Sequence, residues 1–168
     1  MIKPFDFYFD FVSPYSFLAH KEIRKIENKA QIQIRYKPIL LGGLRNLHGI
    51  KAPAFIPAKA KHMIRDCKLI AERNNVKNYY IDNIFNTIWR DGLNMNDEII
   101  IQKVLKNLNI NAKTFSLRST SSSIKDSLRT RTNEAYEVGV FGAPTFVSNN
   151  KIFWGQDRIE FALKEANK

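Results

Sequence analysis

The chain has 168 residues, of which 44% are hydrophobic and 26% are charged, which suits one globular domain with a buried core. No apolar stretch is long enough to span a membrane, and Asp6 and Asp10 interrupt a phenylalanine-rich N-terminus that lacks the basic region of a signal peptide, so we expect a cytoplasmic protein. The single cysteine, Cys67, excludes an intrachain disulfide and a cysteine-built zinc site. The three histidines show no metal spacing, and no metal is expected.

The formal net charge of +11 favours anionic partners. Lysine and arginine are scattered along the chain, which is typical of a solvated basic surface. A non-catalytic protein that binds nucleic acid through this charge is the alternative from another functional class, and its affinity would fall steeply with salt. Nucleic acid is not the expected partner, because the aromatic strand at the N-terminus is predicted to be buried.

The first elements are predicted in the order strand, helix, strand. Aromatic and polar residues alternate over residues 5–11, which is the period of a β-strand. Ser13 and Pro14 follow, and a serine cap with proline at the first helical position predicts a helix start. That helix extends to about residue 28, and a second strand follows over residues 32–36.

A loop rich in glycine and proline, residues 38–57, precedes a block of helical patterns. Asp97 is predicted to cap one of these helices, and the last runs over about residues 122–138, where Gly139 suits its C-terminal end. The sequence therefore predicts an α/β fold with an all-helical insertion over residues 58–138.

The C-terminal segment returns to strands. Residues 145–147 and 151–153 flank Asn149-Asn150, a predicted hairpin turn. Asp157 is predicted to cap a final helix, with Glu160 completing a capping box. Residues 1–57 and 139–168 together would form one small mixed sheet covered by helices.

A first candidate functional segment is Ser13-Pro14-Tyr15-Ser16, between strand and helix. A helix N-terminus presents free N–H groups and partial positive charge, and it stabilises anions that include thiolates. A serine hydroxyl at this point can donate a hydrogen bond to the thiolate of a ligand. Taken alone, Ser13 is more simply a helix cap.

Two further segments lie near the C-terminus. Pro144 enters a strand, and a cis bond there would leave the backbone of Ala143 free to pair with an extended peptide, although generic statistics favour trans. Asp157 could cap its own helix or receive the ammonium group of a ligand. Lys59 and Arg45 are candidates for carboxylate contacts, although each alone is more simply a surface charge.

Together these segments resemble one family. Residues 6–16 (Asp-Phe-Tyr-Phe-Asp-Phe-Val-Ser-Pro-Tyr-Ser) are similar to the N-terminus of 2-hydroxychromene-2-carboxylate isomerases, which belong with the kappa-class glutathione transferases and, more distantly, the DsbA oxidoreductases. Residues 139–146 and 153–158 match the C-terminal half of the same family. The resemblance covers nearly the whole chain. It implies a thioredoxin-like fold with an inserted all-helical domain.

The resemblance also implies a glutathione-dependent isomerase in which Ser13 activates the glutathione sulfur. Ala143, before a cis Pro144, would pair with the tripeptide backbone, and Lys59 would reach a glutathione carboxylate. Arg45 falls near the place where the family has a basic side chain for the substrate. The γ-glutamyl end would be held by four consecutive residues: Trp154, Gly155, Gln156 and Asp157.

In the family mechanism, the thiolate adds to a conjugated double bond, which rotates as a single bond and is restored when the thiolate leaves. The implied partner is a small aromatic or conjugated carboxylate, as in aromatic catabolism, and the implied assembly is a homodimer. Two departures concern the site: Ile50 stands where the family commonly has asparagine, and a segment between Arg73 and Tyr80 is shorter than in relatives. A kappa-like transferase acting on another electrophile is therefore the second interpretation.

Overall fold

The structure, a computed structural model, describes residues 3–30, 32–71 and 80–168. Contacts divide the chain into two compact units, one of Met1–Val76 with Arg129–Lys168 and the other of Lys77–Leu128. The domain boundaries expected after residue 57 and before residue 139 stay a prediction. The shortened segment after Arg73 lies outside the described residues.

A mixed sheet forms the centre of the first unit, with the strands in the order β2-β1-β3-β4. These strands are β1 (Phe5–Phe9), β2 (Ile34–Pro38), β3 (Thr145–Ser148) and β4 (Lys151–Trp154). β1 is parallel to β2 and antiparallel to β3, and β3 is antiparallel to β4. Asn149 and Asn150, which join β3 to β4, both have positive φ, so the predicted hairpin turn is confirmed.

The helices of the described residues are α1 (Pro14–Ala30), α2 (Leu41–Leu47), α3 (Pro57–Ala71), α4 (Tyr80–Phe85), α5 (Glu98–Asn107), α6 (Ala112–Thr120), α7 (Ser122–Glu137) and α8 (Ile159–Ala166). A single 3-10 turn, Pro53–Phe55, precedes α3, and a π-helical turn, Asn86–Arg90, continues α4. The helix α2 lies within residues 38–57, for which the sequence predicts only a loop. The prediction missed this helix because α2 has seven residues, two of them glycine.

The caps predicted for the helical block and its end are present. The Asp97 carboxylate accepts the Ile99 N–H at 2.9 Å at the start of α5. Gly139 follows α7 with a φ of +85°, a conformation that favours glycine. Both observations confirm the sequence-based prediction of these helix ends.

The two central strands, β1 and β3, are largely buried on both faces of the sheet. Phe5, Phe7, Phe9 and Phe146 are fully or almost fully buried, and Phe7 stacks on Phe146 with ring centroids 5.4 Å apart. Tyr8 points to the opposite face, because side chains alternate along a strand. There it packs in a second cluster with the following residues: Ile39, Leu41, Leu44, Ala135, Val140 and Ala143. The predicted small mixed sheet covered by helices is therefore confirmed.

Candidate active site

Ser13 lies between the end of β1 and the first residue of α1, and its side chain is buried. Its Oγ accepts the Ser16 N–H at 3.2 Å, which is the expected N-terminal cap of α1. The same hydroxyl donates to the Ala143 carbonyl at 3.0 Å, across 130 positions of sequence. The cap interpretation and the site interpretation of Ser13 are therefore both compatible with its contacts.

The segment that contacts Ser13, residues 142–145, has a conformation fixed by hydrogen bonds. The Ala143–Pro144 peptide bond is cis, as the resemblance implies. Thr145 Oγ1 donates to the Gly142 carbonyl at 2.7 Å, and the Gly155 N–H donates to the Pro144 carbonyl at 3.1 Å. These bonds bring Ser13, Ala143, Pro144 and Gly155 into one local group.

Trp154 ends β4 and lies against Gly142, next to this group. Its side chain is half exposed, and its ring centroid lies 5.1 Å from that of Phe141. A Cβ added at Gly142 would lie 2.7 Å from the indole Nε1 of Trp154. Glycine at position 142 therefore allows the indole to lie directly against the backbone.

The cap role predicted for Asp157 is wrong. α8 begins at Ile159, and Arg158 occupies its cap position without a side-chain cap bond. Asp157 instead pairs with Arg158 and lies over Gly155, where an added Cβ would be 2.9 Å from Asp157 Oδ1. The turn at Gly155, whose φ is +122°, delays the helix, so the exposed Asp157 carboxylate precedes it. Gln156, between them, is half-buried.

Arg45 interacts through its charge with Asp10, which precedes Ser13 by three residues. Burial raises the pKa of the Asp10 carboxyl, and hydrogen bonds and the Arg45 charge oppose this rise. Burial lowers the pKa of the Arg45 guanidinium, and the negative charge of Asp10 opposes that fall. The Asp10 carbonyl accepts the Ser13 N–H at 3.0 Å. Sequence reasoning did not assign Asp10 a role.

Lys59 is not connected to this group. It lies exposed in the first turn of α3, and within the described residues its side chain makes no hydrogen bond or ion pair.

Deeper along α3, Asp66 accepts a hydrogen bond from the Tyr15 phenol and raises the pKa of that phenol, although burial contributes more to the rise. This bond ties α3 to the start of α1. Ile50 is exposed beyond the end of α2.

Most of the chain matches one family of known proteins. Residues 5–78 and 69–166 match the family model described as the DSBA-like thioredoxin domain. The chain belongs to this DSBA-like family. The predicted thioredoxin-like fold is thereby confirmed.

Individual relatives show which kinds of protein within this family the chain resembles. A 2-hydroxychromene-2-carboxylate isomerase of Sphingobium xenophagum is 25% identical over 188 residues, covering 96% of this chain and 96% of that protein. A solved 2-hydroxychromene-2-carboxylate isomerase superposes with a TM-score of 0.87 at 25% identity, covering 98% of this chain and 94% of that one. Glutathione S-transferase kappa 1 of Caenorhabditis elegans is 40% identical over 68 residues, covering 40% of this chain and 30% of that protein. The family resemblance and the isomerase type of enzyme are thereby confirmed.

This DSBA-like protein has serine at both positions 13 and 16 and one cysteine elsewhere, so no cysteine pair is available for dithiol chemistry. In the described parts of the chain, no helix combines the length and the apolar character needed to cross a membrane. Nor do the described residues include three or more His, Cys, Asp or Glu side chains placed to hold a metal ion.

Cys67 of this DSBA-like chain is half-buried on α3. Burial, assisted by the charge of Asp66, raises the pKa of the Cys67 thiol to about 11. At pH 7 roughly one thiol in 10⁴ is then ionised, and the thiolate is the reactive form. We expect slow labelling by a disulfide reagent at pH 7, with a rate that rises about tenfold per pH unit towards pH 10. Rapid labelling at neutral pH would contradict this assignment.

Proposed function

We propose that this protein is a glutathione-dependent isomerase acting on a small aromatic or conjugated carboxylate. The observation that carries the proposal is the contact between the Ser13 hydroxyl, at the N-terminus of α1, and the Ala143 carbonyl beside the cis Pro144. A hydroxyl, a helix N-terminus and an extended backbone segment are thus within reach of one small thiol ligand. The similarity to kappa-class glutathione transferases supports the use of glutathione.

Activation of the sulfur is energetically feasible at this point. Lowering a thiol pKa from about 8.5 to about 6.5 requires roughly 2.7 kcal/mol. A hydrogen bond to a charged group supplies about 1.5–3 kcal/mol, and a helix N-terminus about 0.3–1 kcal/mol more. The Ser13 hydroxyl has one proton, which points at the Ala143 carbonyl and would turn towards the sulfur of the ligand.

The remaining residues would hold the tripeptide. The backbone of Ala143 would pair with its main chain, and Trp154, Gly155 and Gln156 would flank the γ-glutamyl end. Asp157 would exchange its contact with Arg158 for the ligand ammonium. Lys59, which has no partner within the described residues, would contact a glutathione carboxylate.

The reaction would then be an addition followed by its reversal. The thiolate sulfur forms a bond to the conjugated carbon, and the π electrons move to the conjugated carbonyl as an enolate. The former double bond rotates, the electron pair returns, and the carbon–sulfur bond breaks. Arg45 would hold the substrate carboxylate. Since the thiolate is regenerated, there is no net oxidation or reduction.

The second candidate is a transferase that leaves glutathione attached to another electrophile, which the kappa-class similarity favours. Product analysis separates the two, because an isomerase returns free glutathione and a transferase consumes it. The resemblance also supports a homodimer located in the cytoplasm. Sedimentation equilibrium would test the dimeric state.

The first test is calorimetric titration of wild type and Ser13→Ala with reduced glutathione at pH 7.5. We expect the variant to bind glutathione about tenfold more weakly or worse, because it loses a hydrogen bond to a charged group. S-methylglutathione is the matched control ligand: it has no thiolate, so both proteins should bind it equally. If wild type binds no glutathione, the proposal fails and binding of anions by the basic surface becomes the leading interpretation.

A further inference from the structure

Helix α2, which carries Arg45, does not cap its own N-terminus. It has seven residues, and Leu40 at its cap position makes no side-chain cap bond. Such a short helix is unstable alone, because nucleation is costly. The N–H of its first residue, Leu41, instead donates to Asp10 Oδ2 at 2.8 Å. A carboxylate 31 positions earlier in the chain therefore caps this helix.

The rest of Asp10 holds the turn that leads to Ser13. Asp10 Oδ1 accepts the Val12 N–H at 3.1 Å, and its backbone carbonyl accepts the Ser13 N–H at 3.0 Å. The two carboxylate oxygens thus have different tasks: one holds the Ser13 turn, and the other holds α2. The bonds from the Val12 and Leu41 N–H groups go to carboxylate oxygens, and a charged acceptor makes such bonds stronger than the bond from the Ser13 N–H to the neutral backbone carbonyl.

The charge of Asp10 also faces Arg45, which lies one helical turn beyond Leu41. A second contact at the start of α2 comes from Leu40, whose N–H donates to Thr132 Oγ1 of α7 at 2.9 Å. Asp10 is hydrogen-bonded directly to both the Ser13 turn and the first residue of α2.

We propose that Asp10 is a positioning residue that fixes the distance between the Ser13 hydroxyl and the Arg45 guanidinium, and so joins the thiol half of the site to the carboxylate half. This inference rests on the proposed function for the roles of those two side chains. The physical link that Asp10 makes between the Ser13 turn and α2 does not depend on that function, and it can be measured without any ligand.

The physical link is tested by amide hydrogen exchange on Asp10→Asn, which keeps one acceptor oxygen and replaces the other with a donor NH₂. We expect exchange at Leu41 to rise about tenfold or more, because its N–H loses an ionised acceptor. Asp97→Asn is the matched control, since Asp97 caps α5 in the other compact unit. It should raise exchange at Ile99 and leave Leu41 unchanged. Unchanged exchange at Leu41 in Asp10→Asn would overturn the proposal.

The functional link is tested with two probes, reduced glutathione and 2-hydroxychromene-2-carboxylate, the compound named for the isomerase relatives. Ser13→Ala should weaken glutathione binding, and Arg45→Gln should raise KM for 2-hydroxychromene-2-carboxylate. Asp10→Asn should do both, each by about fivefold or more, and Asp97→Asn should do neither. If Asp10→Asn affects one half only, the joining role is wrong. If wild type binds no glutathione, the proposed function fails, and the exchange result still decides whether Asp10 holds α2 to the Ser13 turn.

Discussion

Alanine at position 13 is expected to lower kcat/KM of the proposed isomerisation by roughly 10- to 150-fold. The hydroxyl would donate one hydrogen bond to the attacking thiolate, worth about 1.5–3 kcal/mol, and each 1.36 kcal/mol corresponds to a factor of ten in rate. Ser13 is 3% exposed, so bulk water cannot easily replace the lost donor. Initial rates with saturating glutathione and varied substrate would measure the effect.

The same substitution removes the cap of α1, so the loss of a cap must be separated from the loss of a catalytic hydroxyl. Cap removal costs about 0.5–2 kcal/mol of unfolding free energy. Asn111→Ala is the matched control, because the Asn111 side chain caps α6 by accepting the Thr114 N–H at 2.9 Å. It should lower stability similarly and leave the rate unchanged. Ser13→Thr should retain most of the rate, and an equal loss in both cap variants would contradict the assignment.

Alanine at position 7 is expected to lower the free energy of unfolding by about 3–5 kcal/mol. Phe7 is fully buried, and its ring packs against those of Phe9, Tyr36 and Phe146 at centroid distances of 5.3, 5.6 and 5.4 Å. Removal of the ring leaves a cavity in the centre of the sheet and deletes three aromatic contacts. Urea unfolding followed by circular dichroism would measure the change.

Phe161→Ala is the control for this core substitution. The Phe161 ring on α8 is 52% exposed and has cationic groups of Arg158 and Lys164 at 5.8 Å. Little apolar area leaves water there on folding, so we expect a loss below about 1 kcal/mol. Equal losses for Phe7→Ala and Phe161→Ala would show that Phe7 is not the core residue described.

Local patterns predicted the parts of the fold that local physics determines. The alternation in residues 5–11, the cap pair Ser13-Pro14 and the Asn149-Asn150 turn each depend on neighbours in sequence. The cap and the turn are confirmed, and the strand is confirmed over Phe5–Phe9, two residues shorter than predicted. α2 was missed because its helical state depends on distant groups. Its Leu41 and Leu44 are buried in the core, and its cap is Asp10.

Prediction of the site from local sequence patterns has the same limit. Helix-start chemistry alone identifies Ser13 as a cap, and only the family resemblance connected it with Ala143, which is 130 positions away. The cap predicted for Asp157 failed because the spacing to Glu160 is a local signal, whereas the turn at Gly155 delays the start of the helix by one residue. Lys59 and the roles of the other candidate ligand residues stay predictions.

The close approach of Trp154 to Gly142 constrains how this protein can vary. Any side chain at position 142 would enter the space that the indole occupies, since even a methyl group would lie 2.7 Å from its nitrogen. A larger residue at 142 is therefore compatible only with a smaller or displaced residue at 154. Positions 142 and 154 should therefore covary: in divergent descendants of this chain, substitutions at one should be accompanied by substitutions at the other.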